Sequence, residues 1–264
     1  MSPAYAEFLT ELYRCKSCVD NGRRFANRPP NGEHRRGWDK FKHHEAAGAP
    51  YKFPPIGFGP RPLLFVGINP RFTNNGELHR EVMSSLSAFK ALAENRAFGK
   101  PYITPPSDDA QARESFYDDQ VRIGRAVFPD QSFEAVACSA EMYFCASADA
   151  DGLSCANSPC AKLFLRRLIE DYVRPALVVT FGTSIPQFFR KHLRGIPPNI
   201  IHLPFRGPRS AGGAPRMDQA VAWAGRAAAA LFAGLAVPPR DWDWPFGDAP
   251  NPVESYAVEA KKGI

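Results

Sequence analysis

The chain has 264 residues, 44% of them hydrophobic, which is enough to bury a full core as one domain. No stretch is apolar over the length needed to span a bilayer, and the first residues lack the features of a signal peptide, so we expect a soluble, cytoplasmic monomer with no membrane partner. The formal net charge of +6 suits a polyanionic partner, of which nucleic acid is the natural candidate.

The first part of the chain predicts a short helix and then a long basic insertion. Residues 4–14 carry apolar side chains at helical spacing, and a Cys-x-x-Cys pair, Cys15 and Cys18, follows directly. Residues 19–60 are rich in Arg, Lys, Gly and Pro, with aromatic residues between them. This composition predicts a surface segment, either a solvated linker or an arm that binds nucleic acid through phosphate charge and base stacking. We expect residues 1–60 to pack on the main domain.

The main domain, predicted over residues 61–236, begins with a short apolar run. The run 63–66 is followed by Gly67 and ended by Pro70, which is typical of a strand buried on both faces of a parallel sheet. Ligands bind beyond the carboxyl ends of such strands, so Asn69 lies where chemistry would take place. The alternative is that Asn69 and Pro70 only begin a turn.

Helices and strands then alternate along the main domain. Helical spacing predicts helices over 80–95, 113–127, 160–173, 185–193 and 217–235, and apolar runs predict strands over 133–145, 176–182 and 199–204. This alternation implies right-handed crossovers and an α/β fold, a three-layer α/β/α sandwich around a central four-stranded, mostly parallel sheet. The tail, residues 237–264, contains several prolines and is predicted to pack irregularly against the domain.

Four of the six cysteines are candidates for one metal site, a pair near the N-terminus and two residues that flank a distant loop. They are Cys15, Cys18, Cys145 and Cys160. Four thiolates from two loops could bind zinc or an iron–sulfur cluster, and the spacing alone does not choose between them. Cys138 is most simply a core residue on a strand. Cys155 lies in the same loop as Cys160 and could replace one of the two distant ligands.

Two patterns in the chain resemble the uracil-DNA glycosylase superfamily. Residues 67–70, Gly-Ile-Asn-Pro, resemble the first active-site motif of the mismatch-specific uracil- and thymine-DNA glycosylases. The Cys-x-x-Cys pair, with Cys145 after Tyr-Phe and Cys160 before a helix, resembles the ligand pattern of the iron–sulfur uracil-DNA glycosylases. The resemblance covers residues 4–18 and 63–235. It implies that the four candidate cysteines hold a structural [4Fe–4S] cluster, with zinc as the alternative.

The resemblance also implies an activity. The protein would be a monofunctional DNA glycosylase that flips a uracil or a modified base out of single- or double-stranded DNA and hydrolyses its N-glycosidic bond, leaving an abasic site. Asn69 would position the attacking water, and the backbone at Gly67, Ile68 and Pro70 would line the pocket. His202, which matches the second motif only in part, would donate a hydrogen bond to the leaving base. Its alternative is a satisfied histidine at a sheet end.

Other positions depart from the family pattern or lie beside it. Glu141 stands where the iron–sulfur enzymes place an asparagine that reads the uracil edge, and a carboxylate cannot donate a hydrogen bond unless it is protonated. A cytosine-like or bulky modified pyrimidine is therefore an alternative substrate. Phe72 could stack on the flipped base. Arg206, Arg209 and Ser210 are expected to contact DNA, or to form a surface loop. The alternative from another class is a metal-stabilised DNA-binding protein without catalysis.

Overall fold

The computed structural model describes residues 1–15, 43–44, 49–57, 59–68, 76–94, 110–146, 155, 158–182, 184–204, 213–242 and 252–256. Within these residues the strands form two sheets. A small antiparallel sheet joins β1 (His43–His44) and β2 (Ala49–Pro50). The strands of the main sheet are β3 (Leu63–Gly67), β4 (Ala137–Glu141), β5 (Leu177–Phe181), β6 (Asn199–Leu203) and β7 (Val253–Ser255).

The main sheet has the strand order β4-β3-β5-β6-β7. The strands β3 to β6 are parallel, whereas β7 pairs antiparallel with β6. This confirms the predicted α/β class and the mostly parallel sheet. The predicted number of four strands was wrong, because the described part of the tail adds β7 to the edge. A strand of three residues beside prolines is too short to show the alternation by which a sequence indicates a strand.

The described residues contain all six predicted helices in the predicted order, but one of them is divided and one further short helix is present. The helices are α1 (Pro3–Arg14), α2 (Gly76–Met83), α3 (Leu86–Glu94), α4 (Ala110–Val127), α5 (Phe133–Val136), α6 (residues 159–173, largely π-helical), α7 (Ile185–His192) and α8 (Gly213–Phe232). The helix predicted over 80–95 is two helices, because the Ser85 hydroxyl accepts a hydrogen bond from Ala88 N and begins α3. Among the described residues, no helix has the length and hydropathy to cross a membrane.

The strand predicted over 133–145 is also divided. Its first residues form the short helix α5, and β4 begins only at Ala137. A short apolar run does not by itself separate strand from helix, which is why the sequence pattern placed the start of this strand too early.

Helices cover both faces of the main sheet. One face carries Leu64, Val66 and Val178 and packs against α1, α2, α3, α6 and α7. The opposite face carries Phe65 and Val179 and packs against α4 and α8. Neighbouring residues of β3 therefore enter different apolar layers, and all five residues of this strand are buried. That burial is the physical reason for its continuous apolar sequence.

The end of the predicted surface insertion is buried. Residues 51–57 run antiparallel beside β4 and its extension, with Lys52 opposite Cys145 and Ile56 opposite Ser139. The apolar side chains of Tyr51 and Ile56 join the core, so this part of the insertion belongs to the main domain. Residues 19–42 and 45–48 lie outside the described part of the chain.

Candidate functional site

The carboxyl ends of β3 and β5 meet at the point where the strand order reverses. From β3 the chain reaches β4 on one side, and from β5 it reaches β6 on the other. Open α/β sheets bind ligands at such a point, because the loops there diverge and leave a crevice. Ile68 follows β3, and Gly182 follows β5. A Cβ atom on Gly182 would lie 3.0 Å from Ile68 Cγ1, so the two strand ends are closely packed.

The side chain of Glu141 occupies the space above Gly67. These two residues are register partners at the ends of β4 and β3. A Cβ atom on Gly67 would lie 2.3 Å from Glu141 Oε2, so the glycine makes room for the carboxyl group. The pairing continues past the strands, since Met142 N donates to Gly67 O and Tyr143 N donates to Ile68 O, both at 2.9 Å. The structure thus brings Gly67, Ile68 and Glu141 together, as their assignment to one pocket requires.

Burial changes the charge expected on Glu141. Its Oε2 atom is enclosed and has no hydrogen-bond partner among the described residues. Burial raises the pKa of this carboxyl group from 4.5 to about 8, because the ionised form loses its hydration. The neutral acid therefore predominates at pH 7. A neutral carboxylic acid both donates and accepts a hydrogen bond, so the acceptor-only behaviour considered from the sequence does not apply at neutral pH.

Two residues near Glu141 were not assigned to this site from the sequence. Burial raises the pKa of the Cys155 thiol to about 11, a hydrogen bond with the Ser184 side chain opposes this, and the charge of Glu141 adds to it. Cys155 and Ser184 therefore belong to the surroundings of Glu141. Ser184 could have been found by the rule that drew attention to Asn69, since it closely follows the carboxyl end of β5.

His202 is enclosed within the sheet and its covering layer. Its Nδ1 atom lies 2.8 Å from Thr180 Oγ1 on the neighbouring strand, and its Nε2 atom lies 3.3 Å from Glu254 Oε1 on β7. The side chain has no exposed surface. Burial lowers the pKa of His202 and outweighs the opposing effect of Glu254, so the imidazole is neutral at pH 7. The Nε2 atom is buried and, despite its approach to Glu254, forms no hydrogen bond of good geometry with the described residues, so His202 is only partly satisfied. Its role toward a leaving base stays a prediction.

Glu254 is the charged centre of that group. Arg190 Nε donates to Glu254 Oε1 at 2.6 Å, and the Tyr256 hydroxyl donates to the other carboxylate oxygen. Burial alone would raise the pKa of Glu254, but the interactions with His202, Tyr256 and Arg190 prevail and lower it to about 2. The group links α7, β6 and β7 through side chains as well as through the sheet.

Three of the four predicted metal ligands are described. Cys15 is partly buried at the end of α1, Cys145 and Cys160 are buried, and none of them forms a disulfide. All three contact the same apolar layer. Within the described ranges no three His, Cys, Asp or Glu side chains form a metal-binding group, and Cys18 lies outside those ranges. Cys138 is buried with its thiol 3.3 Å from Gly57 O, which confirms its prediction as a core residue.

A buried lysine, Lys52, pairs with the segment that carries Cys145. The side chain of Lys52 has no exposed surface, and its Nζ atom donates to Tyr13 O at 3.0 Å, two residues before Cys15. Lys52 forms no ion pair with a carboxylate of the described residues. An uncompensated ammonium group is costly to bury, so an anion is expected near it.

Several predicted site residues lie outside the described part of the chain. They are Cys18, Asn69, Pro70, Phe72, Arg206, Arg209 and Ser210. Asn69 directly follows Ile68, so the chain position of the motif at the end of β3 is as predicted. Comparison with known proteins gives no match for this chain among family models, curated proteins or solved structures.

Proposed function

We propose that this protein is a monofunctional DNA glycosylase of the uracil-DNA glycosylase superfamily. It would hydrolyse the N-glycosidic bond of a flipped uracil or modified base and leave an abasic site. The observation that carries the proposal is the meeting of Gly67 and Ile68 with the enclosed acid Glu141 at the carboxyl ends of β3 and β4, beside the point where the strand order of the sheet reverses. The Gly-Ile-Asn-Pro motif runs directly out of this point.

Asn69 is the proposed positioning group for the nucleophile. Its amide oxygen would accept a hydrogen bond from a water molecule and hold that water against C1′ of the sugar. The bond between C1′ and the base nitrogen breaks, its electron pair leaves with the base, and the water oxygen bonds to C1′. The proton released by the water balances the charge of the departing base. An amide orients water without strongly deprotonating it, which suits a reaction in which bond breaking to the base is far advanced.

Glu141 is the proposed contact to the base. In its neutral form the carboxyl group presents one donor and one acceptor, which is the pattern that an asparagine amide also presents. The burial of Oε2, which has no hydrogen-bond partner among the described residues, supports this role, because an enclosed polar atom that is satisfied only when a base is bound favours binding. Uracil is thus compatible with a glutamate at this position, and so is a modified pyrimidine with a similar edge.

A specific observation favours the second candidate, a DNA-binding protein without catalysis. Both nitrogens of His202 face protein groups, so this residue is not presented to a bound base. The net charge of +6 agrees with either function, since both require attraction to phosphates.

The two candidates are separated by measuring base release. The purified protein is incubated with single- and double-stranded DNA that carries uracil, thymine mismatches, deaminated purines or modified cytosines. Binding to the same DNA is measured in parallel, as is its dependence on salt. Release of one base supports the glycosylase and names its substrate. Salt-dependent binding without release of any base supports the non-catalytic protein.

A further inference from the structure

The edge strand β7 is held to the sheet by a short stretch of backbone pairing and by one buried group of side chains. At one end of the pairing His202 N donates to Pro252 O at 2.9 Å, and at the other Tyr256 N donates to Pro198 O at 2.8 Å. Of the three residues of β7 only Glu254 is buried. Short segments with few buried contacts open locally at the lowest free energy, so the side-chain group has a large share in holding residues 252–256.

This side-chain group joins β7 to two strands' worth of the sheet and to a helix that covers it. The Glu254 carboxylate lies 3.3 Å from His202 Nε2 on β6 and accepts a hydrogen bond from Arg190 Nε on α7 at 2.6 Å. On its other side the imidazole lies 2.8 Å from Thr180 Oγ1 on β5. The ring has no exposed surface. β7 therefore closes one side of the space that holds the imidazole.

The enclosure opposes protonation of His202. Burial disfavours the charged imidazole and so does the charge of Arg190, whereas Glu254 favours it, and the net result is a pKa below the ordinary value of 6.5. When residues 252–256 leave the edge of β6, water reaches the ring and the pKa returns toward 6.5. The open state thus binds a proton more readily than the closed state, so a fall in pH favours opening.

We propose that β7 is a proton-sensitive latch, in which proton uptake by His202 is coupled to the release of residues 252–256 from the edge of β6. The other charged groups that face the ring keep their charge near neutral pH, since the pKa of Glu254 is about 2 and an arginine is not deprotonated in proteins. Release leaves the backbone edge of β6 unpaired, and an unpaired edge accepts another extended segment.

Amide hydrogen exchange followed by NMR tests this coupling in the native protein. The protection of the latch amides, those of His202 and Tyr256, measures how often β7 opens once the intrinsic exchange rate at each pH is divided out. Between about pH 7.5 and about pH 5.5 this protection is expected to fall severalfold, with a limit of about 10-fold for one histidine of pKa 6.5 in the open state. The amide of Gly182, which donates to Leu203 O inside the sheet, is the internal control and should change much less.

Two variants separate a latch from a permanent clamp. His202→Gln cannot titrate, so its latch amides should be equally protected at both pH values. Ser255→Ala removes a link that does not titrate, the hydrogen bond from Ser255 Oγ to Asn199 Oδ1 at 2.9 Å. As the matched control it should open more often at both pH values and keep the native pH dependence.

Three results would overturn the latch, and the native protein alone decides the first two. They are latch amides whose protection is unchanged or rises in acid, an equal loss of protection at Gly182, which shows unfolding of the whole sheet, and native pH dependence in His202→Gln. None of these readouts depends on DNA or base release, so the proposed glycosylase activity can fail or succeed separately.

Discussion

The proton on Glu141 stabilises the folded protein. The pKa of this enclosed carboxyl group is raised from 4.5 to about 8, so the folded state binds the proton more tightly than the unfolded state does. This contribution to the free energy of unfolding is fully present below pH 4.5 and is lost as the pH rises through about 8. The same proton gives the carboxyl group its hydrogen-bond donor. Both the stability of the fold and the proposed recognition of the base therefore depend on the protonation of Glu141.

Glu141→Gln is expected to remove this pH dependence, because the amide is neutral at every pH. The free energy of unfolding is measured by urea denaturation at about pH 5 and pH 9 for both proteins. The native protein should lose stability toward the higher pH relative to Glu141→Gln. The control is Glu81→Gln, at an exposed position on α2, which should behave as the native protein does. Parallel pH profiles for all three proteins would show that Glu141 is ionised at neutral pH.

The contact between Gly67 and Glu141 makes a second prediction at this scale. Gly67→Ala forces the Glu141 carboxyl group away from its position, since the new Cβ atom would meet Oε2 at 2.3 Å. We expect a loss of about 1 kcal/mol of stability, the low end for overpacked sites, because the group that must move is the end of a flexible side chain. In a Glu141→Ala background the same change should cost much less. Equal costs in both backgrounds, measured by denaturant unfolding, would contradict the packing of this pair.

Sequence patterns predicted elements well where burial is periodic or continuous over several residues, and poorly where a short segment only pairs with an existing sheet edge. The strand β3 and its parallel neighbours were predicted because both faces of the sheet are covered, which requires continuous apolar runs. β7 and the pairing of residues 51–57 were not predicted. A short segment that only pairs its backbone with an existing sheet edge needs no regular pattern of apolar residues. The burial of Lys52 follows from such a pairing and is invisible in the sequence, where lysine indicates a surface position.

The attachment of β7 is predicted to weaken in acid. Although burial would raise it, the pKa of Glu254 is held at about 2, below its ordinary value of 4.5, by its interactions with His202, Tyr256 and Arg190. Its contribution to the free energy of unfolding is therefore present above pH 4.5 and is lost as the pH falls through about 2. A change from 4.5 to about 2 corresponds to at most about 3 kcal/mol, and solvent screening of this partly exposed cluster reduces the contribution to about 1–2 kcal/mol. Glu254→Gln should reduce the free energy of unfolding at neutral pH by about that amount. It should also make the free energy of unfolding depend less steeply on pH below pH 4.5. Urea unfolding at decreasing pH tests this prediction. An equally steep loss of stability in acid for the native protein and the variant would contradict it.

At the scale of the whole molecule, some residues of the predicted site lie at strand ends, where the fold determines their position. Others lie in the loops that follow those strands. Gly67, Ile68 and Glu141 meet because parallel strands end at one edge, which the sequence already indicates. The neutral state of Glu141 and the enclosure of His202 depend on neighbours that are distant in sequence, such as Glu254, and could not be predicted. The roles of Asn69 and of the basic loop after β6 stay predictions.

The most direct test of the proposed activity is the rate of base release by Asn69→Ala under single-turnover conditions, on the substrate found in the panel. We expect a loss of about 100-fold or more, with DNA binding largely retained, because the change removes the group that holds the water. Asn199→Ala is the matched control, since it removes an amide at the opposite, amino end of β6, where Asn199 donates to Ala176 O. It should keep the native rate. Equal release by the native protein and Asn69→Ala, or no release from any DNA that the native protein binds, would contradict the account.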